Sequence, residues 1–163
     1  MSFLNGFDIS GYGLSAQRFR INLISSNIAN ANTTRTDEGG PYRRREVIFK
    51  AVDFSQLLSE KMRQNGYRED ENPIDDPAAQ KFPEPPLMAV KVDKIIRDDS
   101  PFKLRFDPSN PDADENGYVA LPNVNPVIEM ADLIEATRAY QANVAAYQST
   151  KTMAQSAIDL LKG

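Results

Sequence analysis

Hydrophobic positions recur every seven residues at both ends of the chain and lose that period in the middle. Near the start, Phe7, Leu14, Ile21 and Ile28 stand seven apart, and Ile24 and Ala31 follow Ile21 and Ile28 by three. That is the stripe of a pairing helix. Ser10 and Gln17 hold the matching earlier positions, so the seam is weaker there. Gly11 and Gly13 each cost about 1 kcal/mol against alanine in a helix. The pattern predicts a helix over about 9–30, firmest after Leu14. Asn30, Asn32, Thr33 and Thr34 end it, because Asn and Thr side chains compete for backbone hydrogen bonds.

The far end carries the stronger signal. Leu133, Tyr140, Tyr147, Ala154 and Leu161 form one row, and Met130, Thr137, Val144, Lys151 and Ile158 its companion. Asn125 suits a helix cap and Pro126 the first helical position. A helix over 126–162 would be about 55 Å long, more than a module of this size can cover. Alanines at 136, 139, 142, 145, 146 and 157 spread over several faces and suit contact with more than one helix. An apolar stripe ordinarily faces an internal core. Here both ends carry one and the middle is too small to cover both. The economical reading is pairing of the two arms within the chain, then packing against other chains. The candidate interface positions are Phe7, Leu14, Ile21, Ile24, Ile28, Met130, Leu133, Tyr140, Val144, Tyr147, Ile158 and Leu161. Seams this interrupted predict arms that are loose in the free chain and become ordered on assembly.

All 11 prolines fall between Pro41 and Pro126. Short β segments lie among them: 45–49 with its Val47-Ile48-Phe49 core, 87–97, 102–106 and 118–121. Residues 98–101 join the second segment to the third, and the set predicts a small twisted sheet or a group of hairpins. Residues 54–62 read as a short helix or turn, and 65–86 as a long acidic, proline-rich loop. The fold class expected is α+β. Long N- and C-terminal helices pair as a coiled-coil-like arm, with a small antiparallel β module inserted between them. The units are a helical arm at 1–34, a β-rich module at 35–124 holding the extended loop at about 64–86, and a long helix at 125–163.

Composition then removes function classes. The 163 residues include no Cys, His or Trp, so disulfides, thiolate metal sites and histidine-based catalysis are excluded. With 19 basic and 23 acidic residues the net charge is -4, which argues against a general nucleic-acid or anionic-membrane binder. No apolar run is long enough to span a membrane, and residues 1–20 lack the pattern of a secretory signal.

The remaining candidate chemistry is thin. Asp112, Asp114, Asn116 and Gly117 resemble the start of a calcium loop, but Asn123 stands where a bidentate Glu is needed. A polar turn at Asn116-Gly117 is the stronger reading. Asp75-Asp76 and Asp98-Asp99 lie beside proline with no apolar pocket in sequence, so they read as solvated loops. Arg43, Arg44 and Arg45 form a basic cluster. Residues 51–86 carry eight acids against four bases, so the cluster is a candidate charged contact with acidic protein surface, in cis or from a neighbour. No cofactor, metal or catalytic residue is expected.

Ser26-Asn27-Ile28-Ala29-Asn30-Ala31-Asn32-Thr33-Thr34 resembles the N-terminal signature of bacterial flagellar axial proteins: rod, hook and hook-associated subunits. Three further stretches resemble the proximal-rod (FlgC) branch of that family. They are Thr33 to Arg45, Asp107-Pro108 with Pro111 to Val119, and Asn123 to Pro126 with Glu129-Met130, Ala139 to Asn143 and Lys151. The likeness covers about 7–55 and 87–162, and Arg35-Thr36 departs from the usual Gly-Tyr of the wider family. Ser26, Asn27, Ala29, Asn30, Asn32, Thr33 and Thr34 are the family-motif residues.

The resemblance implies a structural subunit of the rod, with paired terminal helices lining the inner tube and the module outside. It implies passage through the flagellar type III export apparatus without a cleavable signal, and a place in the basal body across the periplasm. Implied partners are copies of itself, rod proteins of the FlgB, FlgF, FlgG and FliE types, and the surrounding rings. Nucleic acid and direct membrane insertion are not implied. Three alternatives stand beside this one: another axial subunit (distal rod or hook-associated), a helical secretion chaperone, and a carboxylate-based wall hydrolase. A chaperone would form a small closed complex where a rod subunit extends. A hydrolase needs two carboxylates held about 5–10 Å apart, and no segment frames such a pair.

Overall fold

The structure is a computed structural model that describes residues 3–54, 60, 63–64 and 87–162. Two long helices with a small β module between them make an α+β fold.

Helix α1 runs Phe3–Ala29. It starts well before the hydrophobic pattern alone predicts and passes through three glycines. Two of them have a packing reason. A β-carbon on Gly6 would stand 3.2 Å from the Thr150 methyl, and one on Gly13 would stand 3.1 Å from the Asn143 amide. Helix propensity is given up there to let the helices approach. Helix α2 runs Pro126–Lys162, with the bounds the sequence predicts. The Asn125 side-chain oxygen accepts the Val127 N–H at 3.1 Å, so the cap forms as expected.

The β segments form two separate antiparallel pairs. Strand β1, Arg45–Asp53, pairs with β2, Met88–Arg97; β3, Lys103–Phe106, pairs with β4, Tyr118–Leu121. Residues 98–101 link β2 to β3 in sequence, but the two do not pair. The link is a turn of its own: the Asp98 carboxylate accepts both the N–H and the hydroxyl of Ser100. Those two bonds hold the Asp98 carboxyl below the usual aspartate range.

Asp93 is an extra residue in β2, because Ile48 faces Lys94 while Phe49 faces Val92. The ribbon meets α1 with opposite faces at its two ends. Val52 packs with Ala89, Phe54, Ile9 and Tyr12 near the start of the helix. Val47 and Phe49, on the other face of β1, line a cavity with Leu23 and Ile24 near its end. A two-stranded ribbon twists strongly enough to do this, and the bulge adds to the twist.

The short helix or turn expected over 54–62 lies mostly outside the described residues, although Phe54, Glu60, Arg63 and Gln64 are helical. The acidic loop expected over 65–86 lies outside them entirely. Among the described residues no helix is long and apolar enough to cross a membrane.

Candidate assembly site: the helix seam and the polar hub at its base

The two helices lie antiparallel in one register along their shared length. Gly6 meets Thr150 and Gly13 meets Asn143. The Phe7 and Tyr147 rings meet edge to face at 5.0 Å. Arg20 pairs with Glu135 at 3.6 Å, and Asn27 bonds to Glu129 at 3.0 Å. Gly6, Gly13, Arg20 and Asn27 are spaced by seven, as are Thr150, Asn143 and Glu129 with Ala136 between them. The positions in closest contact therefore sit one residue before the Phe7, Leu14, Ile21, Ile28 row. Small and polar side chains fill this line, with Ala136 fully buried on it and Ala16 and Ile24 buried beside it. The Gln17 side-chain oxygen is buried without a donor, at the position where the sequence shows a weak seam.

The predicted interface residues divide into two groups. Ile24 is buried, and Phe7, Leu14, Ile21, Ile28, Leu133, Tyr140 and Val144 are half-buried. Met130, Tyr147, Ile158 and Leu161 are exposed, Leu161 at 87 %. Val127, Ile128 and Ile134 are exposed as well, at 75 %, 54 % and 55 %. The register that sets Gly6 against Thr150 brings Phe3 to about Met153, so 154–162 runs on past the described start of α1.

At the other end of the seam lies a polar hub. Asn27, 1 % exposed, makes four hydrogen bonds. Its amide nitrogen donates to the Arg45 carbonyl at 2.9 Å and to Glu129 Oε2 at 3.0 Å. Its oxygen accepts from the Tyr42 hydroxyl at 2.9 Å and the Arg45 N–H at 3.1 Å. That uses the full capacity of an asparagine side chain. Glu129, equally buried, takes Arg44 Nε on its second oxygen at 2.6 Å. Glu46 and Asp132 stand 3.6 and 3.7 Å from the same guanidinium. Burial pulls Arg44 down, but the Glu129 hydrogen bond and the surrounding carboxylates outweigh it and hold Arg44 above the usual arginine range. Asn123 closes the hub by accepting the Arg44 N–H at 2.8 Å and donating to the Asp98 carbonyl at 3.0 Å. One cluster thus ties α1, β1, the turn after β2 and α2 together.

The family-motif residues build the exit from α1. Asn30 donates its side-chain amide to the Ser26 carbonyl at 2.9 Å and accepts from Thr33 at 3.2 Å. The Thr33 carbonyl takes the Tyr42 N–H, and the Tyr42 ring packs with Ala31 and Val124. Thr34 donates to Asp112 at 2.6 Å. Ala29 and Asn32 are exposed. In the loop that mimics a calcium site, Asp114 Oδ1 accepts the N–H groups of Asn116 and Tyr118, and Gly117 has φ 80°. The Asp114 carboxylate thus serves the turn, and that of Asp112 holds Thr34. Among the described residues no acidic group is arranged to hold a metal.

The sequence reading missed Glu129 and Tyr42. Glu129 sits in the first turn of a helix, where an acid complements the dipole and draws no further notice. The three arginines separate: Arg44 enters the hub, Arg43 lies 4.4 Å over the Phe102 ring, and Arg45 lies 5.6 Å over the Tyr42 ring.

A family model described as flagella basal body rod protein matches residues 7–35. One described as flagellar basal body rod FlgEFG protein C-terminal matches 115–160. The flagellar basal-body rod protein FlgC of Borreliella burgdorferi is 40 % identical, covering 100 % of both chains. That of Bacillus subtilis is 39 % identical over 99 % of this chain and 100 % of its own. That of Salmonella typhimurium is 37 % identical over 94 % of this chain and 93 % of its own.

Proposed function

Because the chain belongs to the FlgC family of flagellar basal-body rod proteins, we propose that it assembles by packing the outward faces of its paired helices against neighbouring subunits. It is a structural subunit of the rod. The observation that carries the assembly reading is the apolar strip on α2. Val127, Met130 and Ile134 stand one turn apart on one side and are exposed, Met153 is exposed at the end of the shared seam, and Ile158, Leu160 and Leu161 are exposed beyond it. Large apolar side chains grouped on one face of a helix are the mark of an interaction surface. Phe7, Leu14, Ile21, Ile28, Leu133, Tyr140, Val144 and Tyr147, on or beside the seam, would complete the same contacts.

In this reading the terminal helices form the wall of the tube through which later subunits pass, and the β module stands outside. The rigid seam and the hub would let the assembly carry torque from motor to hook. Neighbours would be copies of the chain, rod proteins of the FlgB, FlgF, FlgG and FliE types, and the surrounding rings. The chain would leave the cytoplasm through the flagellar type III export apparatus and work across the periplasm. No catalysis enters the reading.

Imaging of flagellar bases in a strain lacking the chain tests this. Rods should stop short of the position it fills, and the wild-type gene should restore them. Complete rods and normal swimming in the deletion strain would overturn the reading.

A further inference from the structure

The loop after α1, the ends of β1 and β2 and Phe102 enclose a cleft of about 430 Å³ that the helix contacts do not use. Three guanidiniums, from Arg43, Arg45 and Arg97, line it in a chain whose net charge is -4. Arg97 is committed: it binds Glu38 through both nitrogens at 2.7 and 2.9 Å. The other two are not. Arg43 stacks on Phe102, donates weakly to the Asp98 carbonyl at 3.4 Å, and stands 3.9 Å from an almost wholly exposed Asp99. Arg45 lies 5.6 Å from the centre of the Tyr42 ring and makes no ion pair among the described residues. Asp37 is the remaining acid in the lining. A guanidinium over a ring still has N–H groups to offer a carboxylate, and the ring contact has already spent part of its rotamer freedom.

The same sequence carries the complement. Between Glu69 and Asp76 there are five carboxylates and no base, on a stretch punctuated by Pro73. We propose that the cleft receives the acidic stretch 69–76 of a neighbouring copy of the chain, with Arg43 and Arg45 each taking a carboxylate. The charge complementarity lies between two features of one sequence, so a polymer of this chain brings them together wherever adjacent copies are in reach. The proposal rests on the assembly reading above, but its test needs no rod.

The probe is a labelled peptide with the sequence of residues 67–77, titrated into the purified full-length chain. The receptors are wild type, Arg43→Gln/Arg45→Gln, and a chain whose own five acids are replaced by their amides (E69Q, D70N, E71Q, D75N, D76N). Wild type and the amide variant should bind the peptide alike. Arg43→Gln/Arg45→Gln should lose about tenfold in affinity, and 0.5 M salt should cost wild type about as much. A peptide with the five acids as amides should not bind. Neither arginine side chain bonds to Asn27 or Glu129, so the double variant should stay folded, which its thermal unfolding checks. Equal binding by the double variant, or no binding by any chain, would overturn the proposal. Binding by the amide variant alone would also overturn it, because the cleft would then be filled by the chain's own stretch.

Discussion

Asn27 and Glu129 are 102 positions apart in sequence and 3.0 Å apart in the fold. Each is 1 % exposed, and each completes the other's hydrogen bonding. The bond sits where the two helices start their shared seam, and Arg44 and Tyr42 bring the loop and β1 to the same point. A buried carboxylate is tolerable only while its partners are present. The N-terminal helix, the following loop and the C-terminal helix therefore form one cooperative unit at this end.

Removing a single partner should be far worse than removing both. Arg44→Ala leaves the Glu129 carboxylate buried without its cation, and should destabilise the chain by about 3–5 kcal/mol. Arg44→Met with Glu129→Gln removes both charges, keeps most of the volume and leaves Asn27 an acceptor. It should recover most of that loss. Thermal and urea unfolding of the two variants against wild type check this; a double variant as unstable as Arg44→Ala would contradict the account.

Two glycines on one helix should respond with different sign. Gly11 has nothing within 4 Å of a built β-carbon, whereas one on Gly13 would stand 3.1 Å from three atoms of the Asn143 amide. Gly11→Ala should stabilise by about 0.5–1 kcal/mol through helix propensity. Gly13→Ala should forfeit that gain and end up at least about 1 kcal/mol below it, because the amide must move. Urea midpoints of the two variants decide it.

The long helices were legible because their signals are local. Asn125 and Pro126 mark the start of α2, no Gly or Pro interrupts it, and the seven-residue rows fix its type. The two helices were paired correctly, but the line of closest contact was not seen, because Gly6, Gly13 and Asn143 carry no hydrophobic signal. The hub was invisible for a related reason. Its members are polar residues whose only distinction is the partner they meet across the fold, and spacing along the chain says nothing about that. Which β segment pairs with which is not legible either: the sequence leaves a small sheet and a group of hairpins both open, and the link at 98–101 joins strands that do not pair.

Exposed apolar residues on α2 should matter for assembly and not for folding. Ile134→Asp places a carboxylate in the middle of the strip while Ile134 is 55 % exposed in the free chain. The purified variant should unfold within about 0.5 kcal/mol of wild type. In the cell it should be made and exported but leave the strain non-motile, since an unpaired charge buried in an interface costs several kcal/mol. Tyr140→Asp and Val144→Asp, beside the seam, should also abolish motility. Normal swimming by Ile134→Asp would remove the exposed face from the interface, and normal swimming by the other two would remove the edge of the seam.

The Arg97–Glu38 pair sets a pH dependence whose sign can be fixed. The Arg97 hydrogen bond and charge hold the Glu38 carboxyl below its ordinary value of 4.5. A group whose folded-state pKa is depressed contributes stability above its unfolded value and loses it as pH falls through the folded value. Glu38 should therefore titrate below 4.5 by NMR, and Arg97→Gln should return it to the ordinary glutamate range. Both side chains are more than half exposed, so the effect on unfolding should be small and fade in salt.

Protection of α2 in the free chain should fall from the hub outward. At its base Glu129 is locked by Asn27 and Arg44, and Ala136 is completely buried one heptad on. Toward Asn143 and Thr150 the contacts are with glycines, and from 155 to 161 every residue is exposed. An isolated helix end gains little from propensity against about 1–2 kcal/mol per residue of backbone entropy, so the far turns should open readily. Amide hydrogen exchange on the purified chain reads this directly. The slowest amides of α2 should lie over about 132–140 and the fastest from 154 onward, with β1 and the hub end of α1 on the slow side. If neighbouring subunits cover the overhang, the same amides should become slow on assembly, as ordering and binding then occur together. Uniform strong protection through Leu161 in a dilute, monomeric sample would show an arm that is already complete, and the coupling of order to assembly would fail.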